Sequence, residues 1–134
     1  MFLAAIAAVS LLVGAVGIAN TMFMSVMERT RQIGLLKALG ATNSEVMKLF
    51  LMESGLFGIV GGVIGVIFGI LISVLVSSIG FQMIGPGGAM KTVVSLQLII
   101  FALIFSTLVG VISGIVPARN AAKMNPVDAL RFEQ

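Results

Sequence analysis

Three stretches of the chain contain no charged residue, and each is long enough to cross a lipid bilayer. They cover residues 1–27, 54–90 and 92–118, and each exceeds the roughly 20 residues that an α-helix needs to span about 30 Å of hydrocarbon. Only 10% of the 134 residues are charged, against about a quarter in soluble proteins. The sequence therefore predicts an all-α protein with three transmembrane helices, a multi-pass protein of the cell membrane.

The distribution of basic residues predicts how these helices are oriented. Seven of the eight Lys and Arg residues lie in the segment 28–51 or after residue 118, and only Lys91 lies elsewhere. Positively charged residues accumulate on the cytoplasmic side of membrane proteins. We therefore expect the N-terminus outside the cell, the segment 28–51 and the C-terminus in the cytoplasm, and Lys91 outside.

We predict that residues 1–134 form a single domain. We expect the second crossing to end in a loop that begins at Gly80, because glycine and proline recur after it, and the third crossing to end before Pro117. The predicted transmembrane helices cover residues 2–27, 53–79 and 95–116. The predicted external loop covers residues 80–94, and the predicted cytoplasmic tail covers residues 117–134.

The segment 28–51 contains signals for two helices in succession. Gly40 suits the C-terminal cap of a short helix from about Thr30 to Leu39, because glycine adopts the left-handed conformation without a Cβ clash. Thr42 and Glu45 have the spacing of a capping box, so a second helix is expected to start there. That helix is expected to run without a break into the second crossing.

Small residues recur every four positions along the second and third crossings, which gives each helix a groove for close packing. Such stripes serve any close helix contact, so packing within one subunit is favoured over a dedicated dimer seam. The residues predicted to pack in this way are Gly58, Gly62, Gly65, Gly69, Ser106, Gly110 and Gly114.

The residue types exclude several classes of chemistry. The chain has no cysteine and no histidine, which removes thiol nucleophiles, imidazole acid–base catalysis and the commonest metal ligands. It also lacks a phosphate-binding loop, so we expect no enzyme activity, metal or bound cofactor. Glu53 is the acidic residue nearest hydrocarbon. We favour an interfacial residue that reaches water, Lys48 or a helix end over a residue that relays protons. Lipid headgroups explain the basic residues better than nucleic acid does.

Two separated motifs resemble the permease family of FtsX and MacB. One is ERTRQIGLLKALGATNSEVMKLFLMES, which follows a crossing that ends SLLVGAVGIANTMFMSVM, and the other is GIVPARNAAKMNPVDALRFE. Both occur in the correct order and beside crossings of the correct orientation, which makes a chance resemblance implausible. In this family the permease is the membrane part of an ABC transporter, and an ATPase that binds ATP and Mg²⁺ docks on its cytoplasmic face.

The resemblance implies that the charged segment contains a coupling helix, which sits in a cleft of the ATPase. Arg29, Arg31 and Lys37 would offer charged contacts, and an apolar face would come from Ile33 and three leucines. Without the family pattern, a solvated charged turn that fixes topology would be the simpler interpretation. Gln32 replaces the glutamate that is usual in the family. The residues implied in coupling are Glu28, Arg29, Thr30, Arg31, Gln32, Ile33, Gly34, Leu35, Leu36, Lys37, Leu39 and Gly40.

The resemblance also implies that the tail packs beside the coupling segment and helps to form the surface that faces the ATPase. From the residues alone, simple anchoring of basic side chains near anionic lipid would explain the tail, at roughly 1 kcal/mol per charge. The tail motif comprises Pro117, Ala118, Arg119, Pro126, Ala129 and Leu130.

The function implied by the resemblance is a permease subunit or domain that couples ATP hydrolysis to transport or mechanotransmission. It requires a second permease copy, in a homodimer or heterodimer, and contact with membrane lipids. The family usually has a further N-terminal crossing and an extracytoplasmic domain, so we expect either the C-terminal domain of a longer protein or a reduced subunit. The alternative is a small oligomeric membrane protein without an ATPase, such as a channel or assembly subunit, although channels more often place polar residues along a crossing.

Overall fold

The computed structural model describes residues 1–84 and 95–131, which form helices joined by short turns. The helices are α1 (Phe2–Glu28), α2 (Thr30–Ala38), α3 (Asn43–Ile84), α4 (Leu96–Lys123) and α5 (Pro126–Arg131). Among the described residues, α1, α3 and α4 are long and apolar enough to cross a membrane. The three predicted transmembrane helices are confirmed.

The ends of the long helices meet at one end of the bundle, which we call the base. The base holds the last turns of α1 and α4, the first turns of α3, and all of α2 and α5. Its buried core contains two side chains from α1, one from α2, two from the start of α3 and three alanines from α4. These residues are Met22, Val26, Ile33, Val46, Phe50, Ala118, Ala121 and Ala122.

α3 and α4 form the most extensive helix pair in the described part of the chain, whereas α1 packs mainly on α4 and contacts α3 little. Small residues bring the α3 and α4 backbones together. A Cβ placed on Gly58 would lie 2.6 Å from the Ser106 carbonyl oxygen, and one on Gly110 would lie 2.6 Å from the Ser54 carbonyl oxygen. The pairing of residue 54 with 110 and of 58 with 106 makes the two helices antiparallel.

Two predicted helix ends differ from the structure. α4 does not end at Val116 but continues through the buried Pro117 to Lys123. Proline removes one backbone hydrogen bond, but the additional turns bury Ala118, Ala121 and Ala122 in the base. α3 likewise continues past Gly80 to Ile84, because one glycine costs a helix only about 1 kcal/mol. The rest of the predicted external loop, residues 85–94, lies outside the described residues.

The helix signals between α2 and α3 are confirmed. Gly40 has a φ of 102°, and its amide donates to the Lys37 carbonyl at 3.0 Å while the Ala41 amide donates to the Leu36 carbonyl at 3.0 Å. This is the pair of bonds that closes a Schellman cap. In the capping box, the Thr42 amide donates to Glu45 Oε2 at 2.8 Å, and the Glu45 amide donates to Thr42 Oγ1 at 3.3 Å.

Candidate functional site

α2 lies across the base and is nearly continuous with α1. Arg29 alone separates the two helices, with φ −101° and ψ 12°. The buried Thr30 stabilises this junction, because its hydroxyl donates to the Val26 carbonyl at 3.1 Å and the Met27 carbonyl at 2.8 Å. These carbonyls lie at the end of α1, where intrahelical donors run out. The junction therefore fixes the direction in which α2 leaves α1.

One face of α2 packs into the base. Ile33 is buried in the core, and Gly34 lies against α5, where an added Cβ would come 2.7 Å from the Cβ of Ala129. That separation is too short for two carbon atoms, so the approach of α5 requires glycine at this position. α5 therefore packs on α2, as the resemblance implied for the tail.

Lys37 fastens the other end of α2 to α4. Its ammonium donates to the Ala122 carbonyl at 2.6 Å and to the Met124 carbonyl at 2.7 Å, and the contact is partly buried. These carbonyls end α4, where a positive charge also interacts favourably with the helix dipole. Hydrogen bonds that involve a charged group contribute about 1.5–3 kcal/mol. Lys37 was predicted to offer a charged contact to an ATPase. In the structure its ammonium instead bonds to carbonyls of the same chain.

Arg29 makes a weaker connection to α3. Its guanidinium lies 3.5 Å from Glu53 Oε2, with the two side chains 48% and 25% exposed. An exposed ion pair of this kind contributes about 0–1 kcal/mol. Glu53 therefore reaches Arg29 rather than Lys48, at the end of α3 that lies in the base. Its position agrees with the interfacial interpretation.

The remaining face of α2, which we call its outer face, points away from the bundle. It consists of Arg31, Leu35, Leu36 and Leu39, all of them exposed. Positions 31, 35 and 39 lie on one side of a helix because they are four residues apart. Leu35 is 55% exposed and Leu39 is 78% exposed. Within residues 1–84 and 95–131, no ion pair is formed by Arg31.

Polar residues and a cleft border the outer face. Glu28 and Gln32 are exposed beside it, and a cleft of about 470 Å³ opens between α2 and the start of α3. Leu36, Leu49 and Phe50 line the apolar part of this cleft, and Arg29 and Glu45 lie at its rim. The outer face and the cleft together form a surface of mixed apolar and charged character.

The tail motif divides between buried and exposed positions. Pro117 and Ala118 are buried within α4, Arg119 is exposed beside them, and Ala129 is buried against α2. Pro126 begins α5 and is partly buried. Leu130 belongs to α5, but its side chain is outside the described part of the chain.

The small residues predicted to pack fall into two groups. Gly58, Gly110 and their neighbours contact the opposite helix: a Cβ on Gly62 would meet the Ser106 hydroxyl, and one on Gly114 would meet the Ser54 hydroxyl. Within residues 1–84 and 95–131, a Cβ on Gly65 or Gly69 would meet nothing within 4 Å, so the packing predicted for these two glycines stays a prediction. Both line an apolar groove of about 1010 Å³ between α1, α3 and α4.

Sequence reasoning missed the tertiary contacts of this site. It did not find that Lys37 caps α4, that Thr30 secures the α1–α2 junction, or that Gly34 admits α5. Glycine within an otherwise helical segment was the available signal for Gly34, since such a glycine often marks a close approach. Among the described residues, no cluster of three or more metal-ligating side chains occurs.

Comparisons with known proteins identify related sequences. The FtsX-like permease C-terminal family matches residues 4–126. An uncharacterized ABC transporter permease of Methanocaldococcus jannaschii is 48% identical over 134 residues, which is 99% of this chain and 33% of the relative. The uncharacterized ABC transporter permease YknZ of Bacillus subtilis is 41% identical over 128 residues, 96% of this chain and 30% of the relative.

A third relative has a more specific name. The macrolide export ATP-binding/permease protein MacB of Shewanella sp. (strain W3-18-1) is 41% identical over 133 residues, which is 99% of this chain and 20% of that protein. The chain thus spans a third or less of the length of these relatives, and the similarity extends over nearly all of its own length.

Proposed function

The chain belongs to the FtsX-like permease family, and on that premise we propose that α2 docks the cytoplasmic ATPase of an ABC transporter and passes its ATP-driven movement to the membrane helices. Family membership and three long apolar helices make the chain a permease component and a multi-pass protein of the cell membrane. The proposal adds the docking helix, the direction of coupling and the use of the movement for transport or mechanotransmission.

The outer face of α2 is the observation that carries this proposal. Arg31, Leu35, Leu36 and the C-cap residue Leu39 are exposed on one side of α2, whose other side buries Thr30, Ile33 and Gly34 in the base. Exposed apolar patches with polar rims are typical of interaction sites, and arginine is enriched in protein interfaces. Because Thr30, Gly34 and Lys37 already hold the helix, little ordering is left to do when a partner binds.

The names of the relatives support an ATPase as that partner. ABC permeases normally work with an ATPase subunit, and the Shewanella relative is named an ATP-binding and permease protein. This chain has no phosphate-binding loop, so ATP and Mg²⁺ would be bound by the ATPase. The permease would contribute the docking surface and the membrane path of the movement.

The charge of the base supports placing it in the cytoplasm. The basic residues Arg29, Arg31, Lys37, Lys48, Arg119 and Lys123 all lie in the base. Cytoplasmic segments of membrane proteins carry such an excess. Arg119 and Lys123 are exposed on α4, where they would contact anionic lipid headgroups.

A second permease copy completes the proposed mechanism. Closure of two ATPases upon ATP binding would move two docking helices toward each other, which requires two permeases as a homodimer or heterodimer. The groove between α1, α3 and α4 offers one surface for that second copy.

The docking proposal is tested by co-purifying the full-length protein with its ATPase from detergent-solubilised membranes. We expect Arg31→Glu and the double variant Leu35→Ser/Leu39→Ser to lose most of the bound ATPase. Lys48→Glu is the matched control, since Lys48 is an exposed basic residue of the base that lies on α3. It should retain the ATPase at the wild-type ratio.

Equal retention of the ATPase by all three variants would contradict docking through the outer face. Failure of the wild-type protein to bind any ABC ATPase would favour the alternative, a helical membrane protein that oligomerises without one. Normal membrane insertion of each variant, checked by its yield in the membrane fraction, separates loss of docking from loss of folding.

A further inference from the structure

α2 is joined to the three membrane helices in different ways. It is covalently continuous with α1 through Arg29 and with α3 through the turn Leu39–Thr42. α4 is distant in the chain and contacts α2 through side chains and through α5. Any movement of α2 must therefore reach α1 and α3 through the backbone, whereas it reaches α4 through non-covalent contacts.

Lys37 makes the most direct of these contacts. Its ammonium is 2.6 Å from the Ala122 carbonyl and 2.7 Å from the Met124 carbonyl, at positions 85 and 87 residues away in the chain. Both are shorter than the usual 2.9–3.0 Å of an N–H···O bond, as expected when the donor is charged. By comparison, the Arg29–Glu53 pair measures 3.5 Å and its arginine is half exposed.

The carbonyls that Lys37 contacts lie just before α5 in the chain. Met124 ends α4, and α5 starts at Pro126, only two residues later. Ala129 of α5 then packs against Gly34, one turn before Lys37 on α2. Lys37 thus bonds the end of α4 about one turn along α2 from the place where α5 packs on Gly34.

We infer that Lys37 is a positioning residue that makes the end of α4 move together with α2 when nucleotide binds to the partner ATPase. The inference rests on the proposed function, because it assumes that the ATPase moves α2. Lys37 contacts neither nucleotide nor ATPase in this role. It acts through the carbonyls of Ala122 and Met124.

The experiment uses the full-length protein with its ATPase in lipid nanodiscs, in a cysteine-free background. Spin labels at Ser44→Cys and Asn120→Cys, placed in only one permease copy of each complex, report the distance between the start of α3 and the end of α4; both positions are exposed and lie in the base. The distance distribution is measured without nucleotide and with a non-hydrolysable ATP analogue and Mg²⁺. The variants are Lys37→Met, Lys37→Arg and the control Lys48→Met.

In the wild type and in Lys48→Met, the distribution should be the same with and without nucleotide, because α4 follows α2 and α3. In Lys37→Met it should match the wild type without nucleotide and shift or broaden when nucleotide is added. Lys37→Arg, which keeps charged donors, should restore the wild-type behaviour at least in part.

Two results would overturn the inference while leaving docking intact. One is a Lys37→Met distribution that nucleotide does not change. The other is a distribution already shifted to the same extent without nucleotide, which would show a purely structural cap. If the ATPase does not bind the wild-type protein at all, the proposed function fails and this inference fails with it; ATPase co-purification in the same samples distinguishes that case.

Discussion

The base and the first half of α1 are built from similar apolar residues but are packed very differently. In the base, Met22, Val26 and Phe50 are buried in a core formed by segments of four helices, α1 to α4. In the first half of α1, side chains such as Leu3 and Val13 are exposed along their length. Hydrocarbon is as apolar as leucine, so exposure of these residues costs little in a bilayer. Apolar composition therefore locates the membrane but does not determine which surfaces pack within the chain.

Small residues distinguish the two regions better than large ones. Gly58 and Gly110 lie where the backbones of α3 and α4 nearly touch, whereas Gly65 and Gly69 face the open groove beside α1. The same four-residue spacing thus serves a closed contact at one end of α3 and an open surface farther along. In the base, buried contacts hold α2 in place, whereas the groove is a surface available to lipid or to another helix.

The largest expected effect comes from a cavity in the base. Phe50→Ala removes a fully buried ring, and such a substitution costs about 3–5 kcal/mol in protein cores. Phe68→Ala is the matched control on the same helix, where the ring is exposed. Its truncation should change the free energy of unfolding by less than about 1 kcal/mol, because lipid replaces the lost contacts. Unfolding in mixed micelles by titration with a denaturing detergent measures both values. Similar losses in the two variants would contradict the difference in packing.

A methyl group added to either glycine group tests the α3–α4 contact directly. Gly58→Ala places a Cβ 2.6 Å from the Ser106 carbonyl oxygen, and overpacking of this kind costs about 1–3 kcal/mol. Gly65→Ala meets nothing within 4 Å and should be neutral or stabilising by up to about 1 kcal/mol, since alanine favours helix over glycine. The same unfolding titration applies. A destabilised Gly65→Ala variant would show that the groove is closed in the membrane.

Local signals were enough to predict the turn between α2 and α3. The hydrogen bonds at Gly40 and between Thr42 and Glu45 join residues that are at most five positions apart. The local sequence was therefore sufficient to predict them. The three crossings were predictable for a related reason, because hydrocarbon thickness sets a minimum length for an apolar run. These features do not depend on the rest of the fold.

Contacts between distant segments were not predictable in the same way. Nothing near Lys37 in the chain indicates that its ammonium will meet carbonyls 85 and 87 residues away. The course of α4 through Pro117 depends on the burial of Ala118 and Ala121 against other helices. Gly58 is closely packed and Gly65 faces an open groove, and this difference depends on where α1 lies. Each of these requires the relative placement of helices, which periodicity alone does not give.

Disturbing the contact between α2 and α5 should have a smaller effect, which a second substitution should reverse. Gly34→Ala would bring two methyl-sized groups to 2.7 Å, so we expect α5 to be displaced at a cost of about 1 kcal/mol. Limited proteolysis of the tail should then become faster. The double variant Gly34→Ala/Ala129→Gly restores the space and should recover the wild-type rate. If the second substitution gives no recovery, α5 does not pack on Gly34 in the membrane-embedded protein.

The smallest expected effect concerns acidity, which should act on the base and not on the membrane half of the bundle, since residues 1–27 and 54–84 contain no charged side chain. Hydrogen bonds from the Thr42 amide, and then from its hydroxyl, hold the pKa of Glu45 below its ordinary value of 4.5. Glu45 lies in the first turn of α3, before the apolar run of the crossing begins. A lowered pKa means that the carboxylate stabilises the folded cap at pH values above the ordinary pKa, and that this contribution disappears as the pH falls through the lowered pKa.

A spin label at Ser44→Cys should therefore gain mobility at low pH in the wild type. Glu45→Gln retains an acceptor for the capping box but cannot titrate, so its label mobility should not depend on pH. A label at an exposed position in the groove, such as Gly65→Cys, should be unaffected in both proteins. If the glutamine variant loosens over the same pH range as the wild type, another group controls the start of α3, and the base is held at this point by something other than the capping box.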